Sequence, residues 1–248
     1  MSNYHSPQFK NPKTAFYILL TYIFIFQLSG TIFLIEPIAK FAASLIDAPA
    51  NQKGAILAAW WTFIVGIITC IVIIVLVYKN RDFFKIYKGE TATTPQAIGW
   101  GILGFFLVFF GQTIAANIEM LLGIEMGSKN TANLVELAKA APIMIITIAI
   151  IGPILEEIVF RRVIFGSLLQ AQGFWIATLV SAVVFAAVHI DFTHILLYTV
   201  CGLIFAYLYY KTKRLLTSIV AHILLNTYVV VVSLNIDKIQ AFFESLQK

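Results

Sequence analysis

The sequence predicts an all-α polytopic membrane protein with about seven transmembrane helices, or eight if the mixed stretch near residues 35–49 adds a re-entrant segment. Three observations carry this reading. Hydrophobic residues make up 60% of the 248-residue chain and charged residues only 12%, against about 45–50% and about 25% in soluble domains. Mean hydropathy is +0.90. The apolar residues fall into runs of roughly the 17–25 residues that cross a bilayer. A soluble domain of this size has no core large enough to hide so much apolar surface. A soluble enzyme, a disordered chain and a secreted disulfide scaffold are thereby excluded.

Taken in order, residues 1–14 are polar and contain Lys10 and Lys13. The run Ala15–Ile35 is too long for a signal-peptide core and has no clear small-residue cleavage site, so it reads as an uncleaved first span. Glu36–Lys53 is mixed, with Pro37, Pro49 and balanced charge. A second span covers Gly54–Tyr78, and a basic loop follows. The third covers Ala97–Leu122. After a Gly127–Asn130 loop, Asn133–Ala141 starts a semi-polar helix. One long helical pattern then runs from Pro142 to about Gln170. The fifth, sixth and seventh runs are Phe174–Ile190, His194–Tyr210 and Leu215–Leu234. The division expected is an N-terminal segment (1–14), scaffold helices (15–141), a transmembrane core that holds the clustered ionisable groups (142–234) and a C-terminal tail (235–248).

Charge supplies an orientation. The net charge of +5 does not call for nucleic acid, because Lys and Arg hold loops on the cytoplasmic side of membrane proteins. With the N-terminus inside, the links near 79–95, 161–173 and 211–214 also fall inside, and they are the basic ones. The links near 36–53, 119–140 and 191–193 are neutral or acidic. A multi-pass protein of the cell membrane, bacterial in character, is expected. Cys70 and Cys201 lie inside apolar runs and read as buried small side chains.

Ionisable groups inside spans are costly, so each is a functional candidate. The second half of the chain concentrates them: Glu156, Glu157, Arg161, His189, His194 and His222, with Asn226. Glu157 and Arg161 are i,i+4 neighbours and can pair. Glu156, about a quarter-turn away, has no such partner in its own helix and is free to act as a base. Gly152 and Pro153 disfavour a straight helix just before them. The competing reading is a hydrated helix end. Phe185 and His189 are spaced so that the ring backs the imidazole. His222 and Asn226 share a helix face and can present donors to one developing charge, or serve helix–helix hydrogen bonding. Together these are parts of a water-activating site. Glu156, His189 and His222 also compose a three-ligand zinc set with an open position, although no His-Glu-x-x-His motif occurs. His194 lies across a polar turn and reads as structural.

Glu156-Glu157-x-x-x-Arg161, Phe185-x-x-x-His189 and His222-x-x-x-Asn226, in that order on separate spans, resemble the signature of the CPBP family of CAAX-type prenyl endopeptidases, bacteriocin-processing and Abi-type proteins. The likeness covers about Pro142–Leu234. It implies an intramembrane endopeptidase opening toward the cytoplasm. Glu156 would activate water with His189, His222 and Asn226 would steady the oxyanion, and Glu157, Arg161 and Phe185 would support them. It leaves a Zn2+ cofactor undecided. The expected partners are the lipid bilayer and a membrane-associated peptide or protein substrate. The small chain points to a pheromone or bacteriocin precursor rather than a prenylated protein. The alternatives are a non-catalytic immunity or membrane-peptide-binding protein, and a proton-coupled transporter. No paired broken helices or inverted repeat speak for the transporter.

Overall fold

The computed structural model describes residues 11–246. The chain forms α1 (Pro12–Leu34), α2 (Glu36–Ser44), α3 (Ala50–Tyr78), α4 (Thr94–Leu121), α5 (Lys129–Ala140), α6 (residues 144–172), α7 (Phe174–Ala187), α8 (Ile195–Thr212), α9 (Leu215–Leu234) and α10 (Ile236–Ser245). There is no strand among the described residues. Five of these rods, α1, α3, α4, α8 with its short 3-10 lead-in, and α9, are long and apolar enough to cross a membrane. The other two expected spans have identifiable reasons for falling short. α6 carries four charged residues, Glu156, Glu157, Arg161 and Arg162, and α7 has only 14 residues.

The short elements α2 and α10 differ from expectation. α2 occupies the stretch where a re-entrant segment was considered, and α10 forms inside the expected tail. None of their residues is buried. The fifth run also stops early: α7 ends at Ala187, so His189 lies just beyond its helix.

Two helices depart from α geometry. α1 becomes a π-helix at Tyr22–Gln27 and a 3-10 helix at Ser29–Leu34. α6 contains π segments at Thr147–Ile151 and Glu157–Phe165, joined by one α turn, Gly152–Glu156. The proline explains part of this. Pro153 has no N–H for the Ile148 carbonyl five residues back, and the Gly152 N–H is used by Thr147 O. The orphaned carbonyl instead accepts from Asn226 Nδ2 of α9 at 3.0 Å. A neighbouring helix thus supplies the donor that proline removes, which is how such breaks survive in membranes.

α6 sits at the centre, touching α1, α3, α7, α8 and α9, while α4 packs against α8 and α9. Close approach depends on small residues. A Cβ on Gly202 of α8 would lie 2.8 Å from the Ala182 Cα of α7.

The bundle has two distinct ends. At one, Ala92 N–H donates to Thr212 O at 3.0 Å, Lys213 Nζ to Lys88 O at 2.9 Å and Arg214 to Thr94 Oγ1 at 3.3 Å. At the other, Ser128 Oγ donates to Asp191 Oδ2 at 2.7 Å. There the start of α8 is held by Glu119, whose Oε1 accepts the Leu197 N–H at 3.0 Å.

Candidate active site

The site is built on the turn of α6 that joins its two π segments. Glu157 and Arg161 are both fully buried, which excludes the hydrated helix end. Arg161 Nε donates to Glu157 Oε2 at 3.1 Å, as the i,i+4 spacing requires. The guanidinium also donates to Ser181 Oγ of α7 at 3.2 Å and lies over the rings of Phe185 and Phe205, 4.9 and 5.5 Å from their centroids. The second Glu157 oxygen faces His222 Nδ1 of α9 at 3.0 Å. Both carboxylate oxygens are therefore engaged, and Glu157 is held as an acceptor.

Glu156 has the opposite environment. Its side chain is 17% exposed and its Oε2 lies 3.6 Å from His222 Nε2. That oxygen has no hydrogen-bond partner among the described residues. Adjacent acids thus differ as the sequence implied: one saturated, one open to a cavity.

The two imidazoles are fixed by their neighbours. A carboxylate paired with arginine only accepts, so His222 Nδ1 carries a hydrogen, and its Nε2 is turned toward Glu156. His222 is also stacked on Phe205, with centroids 4.5 Å apart. His189 Nδ1 donates to Phe185 O at 2.8 Å, which leaves its Nε2 available. Its ring meets Phe185 edge-on at 4.7 Å and stacks on Tyr198 at 4.1 Å.

Glu156, His189, His222 and Asn226 all line one cavity of about 620 Å³. Phe185 lies between the two histidines and contacts both rings. Asn226 differs from expectation in one respect: one of its amide hydrogens is committed to Ile148 O, which leaves one further donor on the same nitrogen. Glu156, His189 and His222 do not close into the three-ligand set considered for zinc. Among the described residues, no three His, Cys, Asp or Glu side chains are grouped so as to hold a metal ion.

Several lining residues escaped the sequence. Glu119 of α4 is 2% exposed, and its Oε2 lies 2.8 Å from His194 Nδ1. An acid inside the third apolar run is itself a legible signal. His194, read from the sequence as structural, is held by Glu119 and also lines the cavity. Tyr198, which stacks on His189, is held through its hydroxyl by Ser128 at 2.8 Å. Ser128 in turn donates to Asp191. These partners are 63 and 70 residues apart in the chain, and no local pattern announces them. The turn carrying Asp191 is half sunk. Asp191 and His194 are buried, while Ile190 and Phe192 are exposed.

The cavity descends to Glu156 from the end of the bundle formed by residues 125–131, 189–198 and the end of α9. None of its lining belongs to the basic links at 79–93 or 211–214.

Comparison with known proteins gives a consistent picture. Residues 138–228 match the family model described as type II CAAX prenyl endopeptidase Rce1-like. The chain is 39% identical over 223 residues to YdiL of Bacillus subtilis (strain 168), provisionally named a membrane peptidase, covering 90% of each chain. It is 39% identical over 173 residues to MroQ of Staphylococcus aureus (strain USA300), named a membrane-embedded CAAX protease, covering 67% of this chain and 69% of that one. The UPF0177 protein YbdJ of Lactococcus lactis is 29% identical over 170 residues, covering 66% of this chain and 74% of YbdJ. No solved structure matches the chain.

Proposed function

Because this chain belongs to the Rce1-like CAAX prenyl endopeptidase family, the CPBP proteins, we propose that it is a membrane endopeptidase whose general base is Glu156. The observation that carries the reading is the contrast between two neighbouring acids. Glu157 is saturated by Arg161 and His222, while Glu156 lines the cavity and its buried Oε2 has no hydrogen-bond partner among the described residues.

In this mechanism Glu156 accepts a proton from water as the oxygen attacks the scissile carbonyl carbon. His189 Nε2 orients that water; its ring is held by the Phe185 carbonyl and the Tyr198 stack. The remaining Asn226 N–H donates to the developing oxyanion. His222 joins that role only as an imidazolium, because its Nδ1 hydrogen is already given to Glu157. The C–N bond then breaks, and the proton held by Glu156 passes to the leaving amine. Glu157 and Arg161 fix His222 and the helix turn. No step is routed through a metal, and a zinc requirement is tested directly by chelation.

The proposed substrate is a membrane-associated peptide, of the kind from which a secreted pheromone or bacteriocin is made. The test compares membrane peptides, by mass spectrometry, from cells carrying the wild type and Glu156→Gln. A precursor that accumulates only with Glu156→Gln supports the reading. Identical peptide sets, with an immunity function retained by Glu156→Gln, would replace it with a passive binder.

A further inference from the structure

We infer that Gln112 and Asn117 of α4, with Gln27 of α1, bind the main chain of the substrate where it passes through the cavity to Glu156. The identity of the ligand as a peptide rests on the peptidase reading, while the placement of the three amides is independent of it.

Side-chain amides are unevenly placed in the five spanning helices. Asn51, Gln52 and Gln96 lie in the first turns of α3 and α4. All the others, Gln27, Gln112, Asn117 and Asn226, line the cavity. A polar group inside a span is costly and is kept where it serves a path or a binding site. Asn226 is bound to Ile148 O and has a role in the proposed mechanism. The other three lie outside residues 138–228, which carry the match to the family.

Their own hydrogen bonds leave capacity. Asn117 Nδ2 donates to Thr113 O at 2.7 Å, and Gln27 Nε2 donates to the Tyr22 hydroxyl at 2.7 Å. Among the described residues, each keeps its carbonyl oxygen and one N–H for a ligand. The Gln112 oxygen meets only Cys201 Sγ, at 3.9 Å, and its NH2 group has no partner among the described residues. The three amides also stand at different places. Cys201 lies three residues after Tyr198 on α8, so Gln112 is on the His189 side of the cavity. Tyr22 meets Phe160 of α6 edge-on, four residues beyond Glu156, which puts Gln27 beside α6. Asn117 follows Gln112 by five residues, more than one helical turn, toward the 125–131 stretch.

The chemistry of the wall selects the ligand. A carboxamide offers the same kinds of donor and acceptor as a peptide group, so it pairs with a main chain without regard to the side chains. Hydrolysis needs an open, aligned approach to the scissile carbonyl, and a peptide bond inside an intact helix does not offer one. Once the segment is extended, the flanking N–H and C=O groups lose their helix partners, and leaving them unpaired is costly. Much of the wall cannot replace those partners. Phe26, Met120, Leu134 and Val230 are apolar, and neither Lys nor Arg lines the cavity among the described residues. The amides supply the missing partners without a charge, which suits an extended, apolar segment of varied sequence.

The test needs binding and no turnover, so it uses the full-length Glu156→Gln protein. A photoreactive p-benzoylphenylalanine placed at Met120, which lines the same wall of α4, is activated in cells, and the captured peptide is identified by mass spectrometry. The synthetic peptide is then bound to purified Glu156→Gln protein with and without Gln27→Leu, Gln112→Leu or Asn117→Leu. Leucine keeps the span apolar and removes the hydrogen bonds. Each exchange should weaken binding about 3- to 10-fold, as expected for one neutral hydrogen bond. A backbone ester, moved through the peptide, removes one N–H at a time. At one position its penalty should shrink in Gln112→Leu or Asn117→Leu, a coupling that recognition of side chains does not produce. Absence of a captured peptide, unchanged affinity in all three variants, or additive ester penalties at every position would overturn the inference. The peptidase reading fails separately: wild-type protein that binds the captured peptide and leaves it intact would end that reading and leave the amide assignment standing.

Discussion

Two adjacent glutamates carry the proposed chemistry, and the fold surrounds each of them differently. Glu157 meets Arg161 and His222 with no exposure at all. Removing Arg161 leaves a buried carboxylate without its cation, a change that typically costs about 3–5 kcal/mol. Arg161→Ala should therefore lower both thermal stability in detergent and the amount of folded protein in membranes. Unchanged melting would contradict the pairing role. The Glu157–Arg161 pair was legible because i,i+4 spacing places both groups on one helix face. The Glu157–His222 bond was not, because 65 residues separate the partners and nothing local to either reports it. Tyr198 shows the same limit. It holds His189 by stacking, so Tyr198→Phe should keep most of the turnover and Tyr198→Ala should lose much of it, as peptide cleavage assays would show. Equal loss in both would assign the role to the hydroxyl instead.

At the level of helices, the apolar runs were readable and their interiors were not. α9 covers the same residues, Leu215–Leu234, as the seventh apolar run. The pattern from Pro142 to Gln170 is indeed helical, yet periodicity cannot distinguish an α turn from the π segments that flank Glu156. Pro153, next to Gly152, was a local sign of a break. Its consequence lies on another helix, where Asn226 serves the carbonyl that proline leaves without a donor. Asn226→Ala should therefore cost stability as well as rate, by about 1–3 kcal/mol for one buried unsatisfied carbonyl. Pro153→Ala restores a backbone N–H at that position. The Asn226→Ala penalty on melting should shrink in the Pro153→Ala background, a coupling that a double-mutant cycle measures. Strict additivity would contradict the assignment. The packing of α8 on α7 makes a simpler demand. Gly202→Leu would drive a side chain into the Ala182 backbone and should prevent accumulation of folded protein, judged by size-exclusion profile.

For the molecule as a whole, composition and span pattern were enough to identify an all-α membrane protein, and three short motifs were enough to find its family. The motif residues Glu156, His189, His222 and Asn226 do converge on one cavity. What the motifs could not convey was how much of the wall the first half supplies. Phe26 of α1, Thr62 of α3, Glu119 of α4 and the 125–131 stretch all line the cavity. Nor could they show that its mouth faces away from the basic links, since that follows only once the helix directions are laid side by side. The central claim is that Glu156 is the proton acceptor for hydrolysis. The measurement that bears on it most directly is cleavage of the accumulated precursor by purified protein in detergent, wild type against Glu156→Gln, with and without a chelator. The account predicts a rate reduced by about 10²–10⁴-fold in Glu156→Gln, with peptide binding retained and the wild-type rate insensitive to the chelator. Wild-type cleavage rates in Glu156→Gln would contradict the assignment of the base, and loss of wild-type cleavage on chelation would contradict a mechanism without a metal.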